Sequence, residues 1–489
     1  MTRAARLGAL VAMLLPALLG AQGNAPAGKC AFDVKAERQG RLMKLPSGQI
    51  NGFTGGHVVA TCASQGLVLT SDSLESYGDE GRIVFIGHVD YKEPRLKLKA
   101  DLVTYFQRDE RLLAVQNVDA RLPAGSTIQG PQLEYFRTIP KLRPTQSATA
   151  TGRPTINLIQ KDAQGNSQPP VKVTGNTVWL IGDSIVSSQG NVIVVRPQLT
   201  ASGDSLYGDA GAGLLRLMRG PKIVGTKGRP FTLVGETIDL ITRKRKLEQV
   251  LAKSKAEAQS EDLNLKSDTI DMRVTDDLLQ RAIVWGRSRA FATSPTQSVV
   301  ADSIDVLLPA QRVRELHALR SASAEGTPDT ARFVFTERDR LTGDTIIATF
   351  DSIPAGDTVS RPRIRRLRAL GHATSLQHRP ASDSTICVPT VVYSRGRLID
   401  VRFKVGVIDT VQVIDVDKLA NGVQLEPKPD SANRCAVLRG GRVAGGPKSA
   451  VGASLVPLPV PGSAPRGAPV VPAIEPPVRP LPPVTRPRR

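Results

Sequence analysis

The sequence predicts an all-β protein made of stacked antiparallel strand–turn–strand repeats. Three observations carry this. A motif recurs about every 30 residues, its segments alternate polar and apolar, and aromatics make up only 4% of 489 residues. The motif is clearest in Gly235-Glu236-Thr237-Ile238-Asp239-Leu240, Ser267-Asp268-Thr269-Ile270-Asp271-Met272 and Ala301-Asp302-Ser303-Ile304-Asp305-Val306. Nine residues after each Ile comes Leu247, Leu279 or Val313, and three further on Val250, Ala282 or Leu316. The same spacing fits Leu206, Leu215 and Met218, and Leu74, Ile83 and Ile86. Repeats of this length mark a stack in which neighbouring units bury each other's apolar faces.

Each repeat reads as two strands. Thr269 to Val274 alternates with Ile270, Met272 and Val274 on one side, and Arg281 to Trp285 is an apolar run of strand length. Polar turns such as Thr275-Asp276-Asp277 separate them. Period two with short turns indicates hairpins, and no copy carries the spacing of a helix pair. This phase predicts that Ile238, Ile270, Ile304, Leu247, Leu279 and Val313 face inward and that Asp239, Asp271 and Asp305 face outward.

Taken in order, residues 1–21 read as a secretory signal peptide. Arg3 and Arg6 precede the apolar run Leu7 to Leu19, which is too short to span a bilayer well. Cleavage is expected between Ala21 and Ala27. Residues 30–137 form a first block of repeats. Within it Leu96, Leu98 and Ala100 alternate with Arg95, Lys97 and Lys99. Residues 141–170 are rich in Pro, Ser and Gln and read as an insertion or linker. A second block covers 171–380, and residues 381–435 read as a final hairpin region. Residues 440–489 are basic and Pro-rich, the composition of a disordered tail.

An exported chain can form disulfides. Cys30, Cys62, Cys387 and Cys435 allow three connectivities. Closeness in sequence favours Cys30–Cys62 and Cys387–Cys435. The five histidines are scattered and no Cys-x-x-Cys pair occurs, so neither a metal site nor a cofactor is expected.

These features resemble the periplasmic lipopolysaccharide-transport family, the LptA- or OstA-like group that includes the N-terminal domain of organic-solvent-tolerance proteins. The resemblance rests on the Ala-Asp-x-Leu/Ile-x-Tyr/Asp opening, the returning strand with Val284-Trp285-Gly286 or Ile86-Gly87, and the repeat behind a signal peptide. It covers about Cys30 to Asp430. The chain departs from a minimal member in its length, its 141–170 segment and its basic tail. The resemblance implies an elongated antiparallel β-jelly roll, or β-taco, whose strands enclose an apolar groove for lipid acyl chains. It also implies lipopolysaccharide or a similar anionic lipid as ligand. Partners would be inner- and outer-membrane transport components of the same fold, together with end-to-end self-association. Groove candidates are Ile238, Leu247, Val250, Ile270, Leu279, Ile304, Val313 and Leu316. The rival reading is a periplasmic or cell-surface β-solenoid with a filled core that binds protein or polysaccharide.

Two motifs invite other functions. Gly203-Asp204-Ser205-Leu206 spells the signature of a family of serine hydrolases. A nucleophilic Ser needs a base, and none of the five histidines has the acid three residues earlier that this family uses. The motif also recurs in register with the repeat, so it reads as structural and no enzyme is expected. Arg361, Arg363 and Arg365 alternate, as do Arg95, Lys97 and Lys99. Each trio is either a solvated face or a contact for lipid phosphates, with Lys97, Lys99, Arg363 and Arg365 as head-group candidates. Nucleic acid is not an expected partner, because no aromatics interleave the charges.

Overall fold

The computed structural model describes residues 31–439, except 124, 140, 160–168, 245, 328–333, 335–336, 352–361, 405–406 and 416–420. The chain divides into Met1–Gly440 and Gly441–Arg489, and the second unit lies outside the described residues. So do the signal-peptide segment and Cys30.

The first unit is all-β. Among the described residues its strands form one 28-stranded antiparallel sheet that meanders along the chain. Most strands are long, and their registers break at corresponding points. Shifts fall between Gly55 and Val58, Thr70 and Ser73, Ile86 and Val89, Lys99 and Leu102, and Val115 and Val118. They recur farther on between Lys253 and Ala256, Lys266 and Thr269, Val300 and Ser303, and Leu319 and Ala322. A bulge bends a strand and increases its twist. Aligned bulges therefore fold the sheet along one line into two facing walls. Residues 73–77, 82–86 and 102–106 belong to the first wall, and 67–70, 89–93 and 96–99 to the second.

The repeated acid builds this corner. Strands returning from the first wall to the second carry two successive left-handed residues there, such as Gly87–His88 (φ 79° and 44°) and Gly371–His372 (69° and 43°). The acid of the preceding strand reaches across. Asp72 meets His88 Nδ1 at 2.7 Å, Asp344 meets His372 Nδ1 at 3.0 Å, and Asp101 accepts from Asn117 Nδ2 at 2.6 Å. Asp268 accepts the backbone N–H groups of Arg287 and Ser288 at 2.5 and 2.8 Å. A Cβ at Gly87, Gly286 or Gly371 would strike that carboxylate. The glycine of the returning strand is thus a consequence of the acid beside it.

Inward side chains of both walls form one core. The first wall supplies Ile238, Ile270, Ile304, Ile346 and Ile399, and the second supplies Ala256, Ala258, Ala290, Ala292 and Ala322. Ala252 and Ala318 stand beside those isoleucines and Leu233, Leu265 and Leu341 beside those alanines, so each wall mixes large and small residues and the two interdigitate. In the first block the interior holds aromatics instead, among them Phe85, Tyr91 and Tyr105.

The structure amends three expectations. Ile86 and Met218 do not share the inward phase, because Phe85 and Leu217 pair with Leu74 and Leu206 and take the core positions. The later copies carry an extra bulged residue that moves this phase by one. Residues 141–170 are not simply an insertion: Ser147–Thr151 continues the first wall and Thr155–Leu158 the second. The sheet therefore runs unbroken, at about 4.8 Å per strand, for roughly 100 Å. Asp239 and Asp271 point outward, opposite Ile238 and Ile270, yet each is only 3% exposed. Neighbouring Arg and Lys stems cover them.

Cys387 and Cys435 are joined by a disulfide. Cys62 is disulfide-bonded as well. Cys30, its expected partner, lies outside the described residues.

Candidate functional site

The space between the walls is the candidate site. Period-two alternation sends every second side chain there, and the corner closes one side of it. The opposite side is a mouth where turns of the two walls face each other.

The groove candidates converge on this space. Ile238, Ile270 and Ile304 are 0% exposed, and Leu247, Val250, Leu279 and Leu316 are buried with them. Val313 is half-buried and packs against the same core. The interior is filled by their contacts. At the mouth of the second block a cleft of about 80 Å³ opens between Phe231 and Leu265 of the second wall and Met272, Leu279, Leu308 and Val313 of the first. Two pins cross the mouth beside it. Gln311 accepts from the Arg229 N–H at 2.7 Å and donates to the Lys227 carbonyl at 3.1 Å, and Lys227 meets Asp277 at 3.4 Å.

The first-block mouth is built differently. Arg137 lies between the walls, with Nε 2.7 Å from Glu93 of the second and Nη1 2.9 Å from Glu110 of the first. Both carboxylates are nearly fully buried, and Arg137 also donates to Gln65. Tyr105 donates to Glu110 at 2.5 Å. Burial, then the neighbouring Glu93 carboxylate, pushes the Tyr91 and Tyr135 hydroxyls above their ordinary range. Burial opposes the charge on Arg137, but Tyr91 and Glu93 outweigh it and hold the guanidinium above its usual value. Sequence reasoning missed this cluster. A signal was present: Glu93 continues the inward phase of Val89 and Tyr91, where a charge needs a buried partner.

The head-group candidates do not converge. Lys97 and Lys99 lie on the outer face of the second wall, opposite the core residues Leu96 and Leu98. Lys99 sits between Asp90 and Asp119 of the flanking strands. Arg363 and Arg365 belong to the mouth side of the first wall, where a register break leaves Arg365 unmatched between Ile364 and Arg366. Their alternation is interrupted there and they share no patch with the lysines. Arg361 lies outside the described residues.

The hydrolase-like Gly203-Asp204-Ser205-Leu206 sits at the corner like its repeats, with Asp204 3.3 Å from Arg219. Among the described residues no group of three or more His, Cys, Asp or Glu could hold a metal, and no helix is long and apolar enough to cross a membrane. No family model matches the chain, and no curated protein matches it by sequence.

Proposed function

We propose that the chain is a non-enzymatic carrier that binds the acyl chains of lipopolysaccharide, or of a related anionic lipid, between its walls in the periplasm and supports its passage toward the outer membrane. The observation that carries this reading is the construction of the mouth. Among the described residues the backbone hydrogen bonds run within each wall or at the corner, and none crosses the mouth. Parting the walls there costs side-chain contacts but no ladder bonds. A hydrocarbon chain replaces those contacts, at about 0.8 kcal/mol per buried methylene. The cleft beside Leu279 and Val313 already exposes part of this surface.

A second reading is favoured by the burial of Ile238, Ile270 and Ile304, which are 0% exposed. A core so filled suits a scaffold whose outer faces bind protein or polysaccharide. The test is organic extraction of the purified protein followed by lipid mass spectrometry, with Ile270→Asp and Ile304→Asp variants compared after circular dichroism confirms their strands. The carrier reading expects acyl lipid from the parent and none from the variants. Equal amounts from folded variants, or none from the parent, replace it with the scaffold.

A further inference from the structure

Arg196 puts a positive charge on the inward face of the second wall. It ends the strand Ile185–Arg196, in which Val192 and Val194 belong to the core. Alternation carries that phase to residue 196. Arg196 also pairs with Leu199, another core residue, and directly opposed residues share a face. The side chain therefore enters the space between the walls at the mouth of the second block, where the chain turns through Pro197 and Gln198.

Arg196 is half-buried there. Burial holds its pKa below the ordinary arginine value, and Asp277 of the first wall offsets this only in part. Among the described residues none accepts a hydrogen bond from its guanidinium. A group with five N–H donors and no acceptor is costly where water is scarce.

A second cation stands alongside. The turn after Lys222–Gly225 folds against the Arg196 turn. Thr226 donates its N–H to the Gln198 carbonyl at 2.9 Å and its hydroxyl to the Pro197 carbonyl at 3.3 Å. Lys227 follows, and its Nζ lies 3.4 Å from Asp277. Two cations thus share this carboxylate, and the trio keeps one positive charge. The trio adjoins the cleft: Arg229, two residues beyond Lys227, and Leu279, two beyond Asp277, both line it.

We propose that Arg196 and Lys227 form a phosphate-binding site at the second-block mouth, with the cleft beside it taking the alkyl chain when the phosphate belongs to a lipid. A phosphate supplies the acceptors that Arg196 lacks. The guanidinium fork binds it through two parallel N–H···O bonds, and the lysine adds a point charge. The lipid form of the proposal rests on the carrier reading, and the phosphate site itself does not. The site gives a head group a place next to the apolar interior, which Lys97, Lys99, Arg363 and Arg365 do not.

The test is isothermal titration calorimetry of the full chain with inorganic phosphate, with dihexanoyl phosphatidate below its micellar concentration, and with dihexanoylglycerol. Each probe is titrated into the parent, Arg196→Met and Arg196→Lys. Methionine keeps an apolar stem, and lysine keeps the charge without the fork. Phosphatidate should bind the parent, and Arg196→Met should weaken it by about tenfold or more, the loss of two charge-assisted hydrogen bonds. Arg196→Lys should fall between them. Dihexanoylglycerol should bind all three proteins alike, because it reads only the cleft. Either phosphate probe bound as tightly by Arg196→Met as by the parent overturns the proposal, and so does a parent that binds neither. A parent that binds inorganic phosphate but neither lipid keeps the phosphate site and removes the carrier reading. Circular dichroism checks the fold of each variant. If Arg196→Met does not fold, Arg196→Lys decides, and parent-like affinity for phosphatidate or phosphate overturns the proposal.

Discussion

Arg366 grips both oxygens of Asp400, at 2.8 and 2.6 Å, and Arg216 grips Asp239 in the same way at 2.6 and 2.9 Å. Such forked pairs are stronger than single hydrogen bonds. The Arg366 hydrogen bonds hold the Asp400 carboxyl below its ordinary value. For Asp239 burial acts upward, but Arg216 and Lys253 outweigh it and the carboxyl also ends low. A carboxyl lowered by folding stabilises the fold above its unfolded value, near pH 3.9, and loses that contribution as pH falls through the folded value. Urea midpoints should therefore drop between pH 5 and pH 2. Asp400→Asn should lower stability at pH 7 by about 2 kcal/mol and show a shallower acid loss than the parent, because the isostere has no proton to gain. Parallel pH curves for variant and parent would count against this pair. The outward direction of Asp239 was legible from alternation alone. Its burial was not, since that depends on which arginines the neighbouring strands bring alongside.

The corner is the element on which the walls depend. Gly87 and Gly371 have positive φ and lie directly beneath the carboxylates of Asp72 and Asp344. Gly220 also has positive φ, 71°, but nothing approaches the place of its Cβ. Gly220→Ala should therefore cost only the backbone strain, about 1 kcal/mol. Gly87→Ala and Gly371→Ala must also displace the acid and break its contact with His88 or His372, so about 2–3 kcal/mol is expected. Thermal or urea unfolding of the three variants checks the order, and equal losses would remove the acid from the explanation. Here the sequence was informative in an incomplete way. The repeated acid and the glycine of the returning strand were visible as a pattern, with the acid reading only as a solvent-facing residue or a turn cap. The cause is a contact between adjacent strands, and it appears only when the register sets Asp72 against His88.

At the scale of the whole molecule, the stack was legible because a repeat must write its apolar phase many times. What breaks the repeat was harder to read. The short strands Ser147–Thr151 and Thr155–Leu158 lie in a stretch whose composition resembles a linker, and only their pairing with Thr127–Phe136 reveals them as wall. The Arg137 cluster is single and non-local, joining residues 27 and 44 positions apart. Such an arrangement has thermodynamic consequences. In a stack each strand touches its neighbours, so stability is nearly a sum of local contributions and distant parts unfold separately. A block with buried charges and aromatics in its interior and one whose interior is aliphatic should not melt together. Differential scanning calorimetry should then give a calorimetric enthalpy well above the van't Hoff enthalpy, with at least two resolved transitions. The variant Cys387→Ala/Cys435→Ala should lower one of them, by about 3–4 kcal/mol for the affected unit, and leave the other in place. The Glu93→Gln/Glu110→Gln/Arg137→Met variant should shift the other. A single transition with equal enthalpies, moved as a whole by either change, would make the chain one cooperative unit.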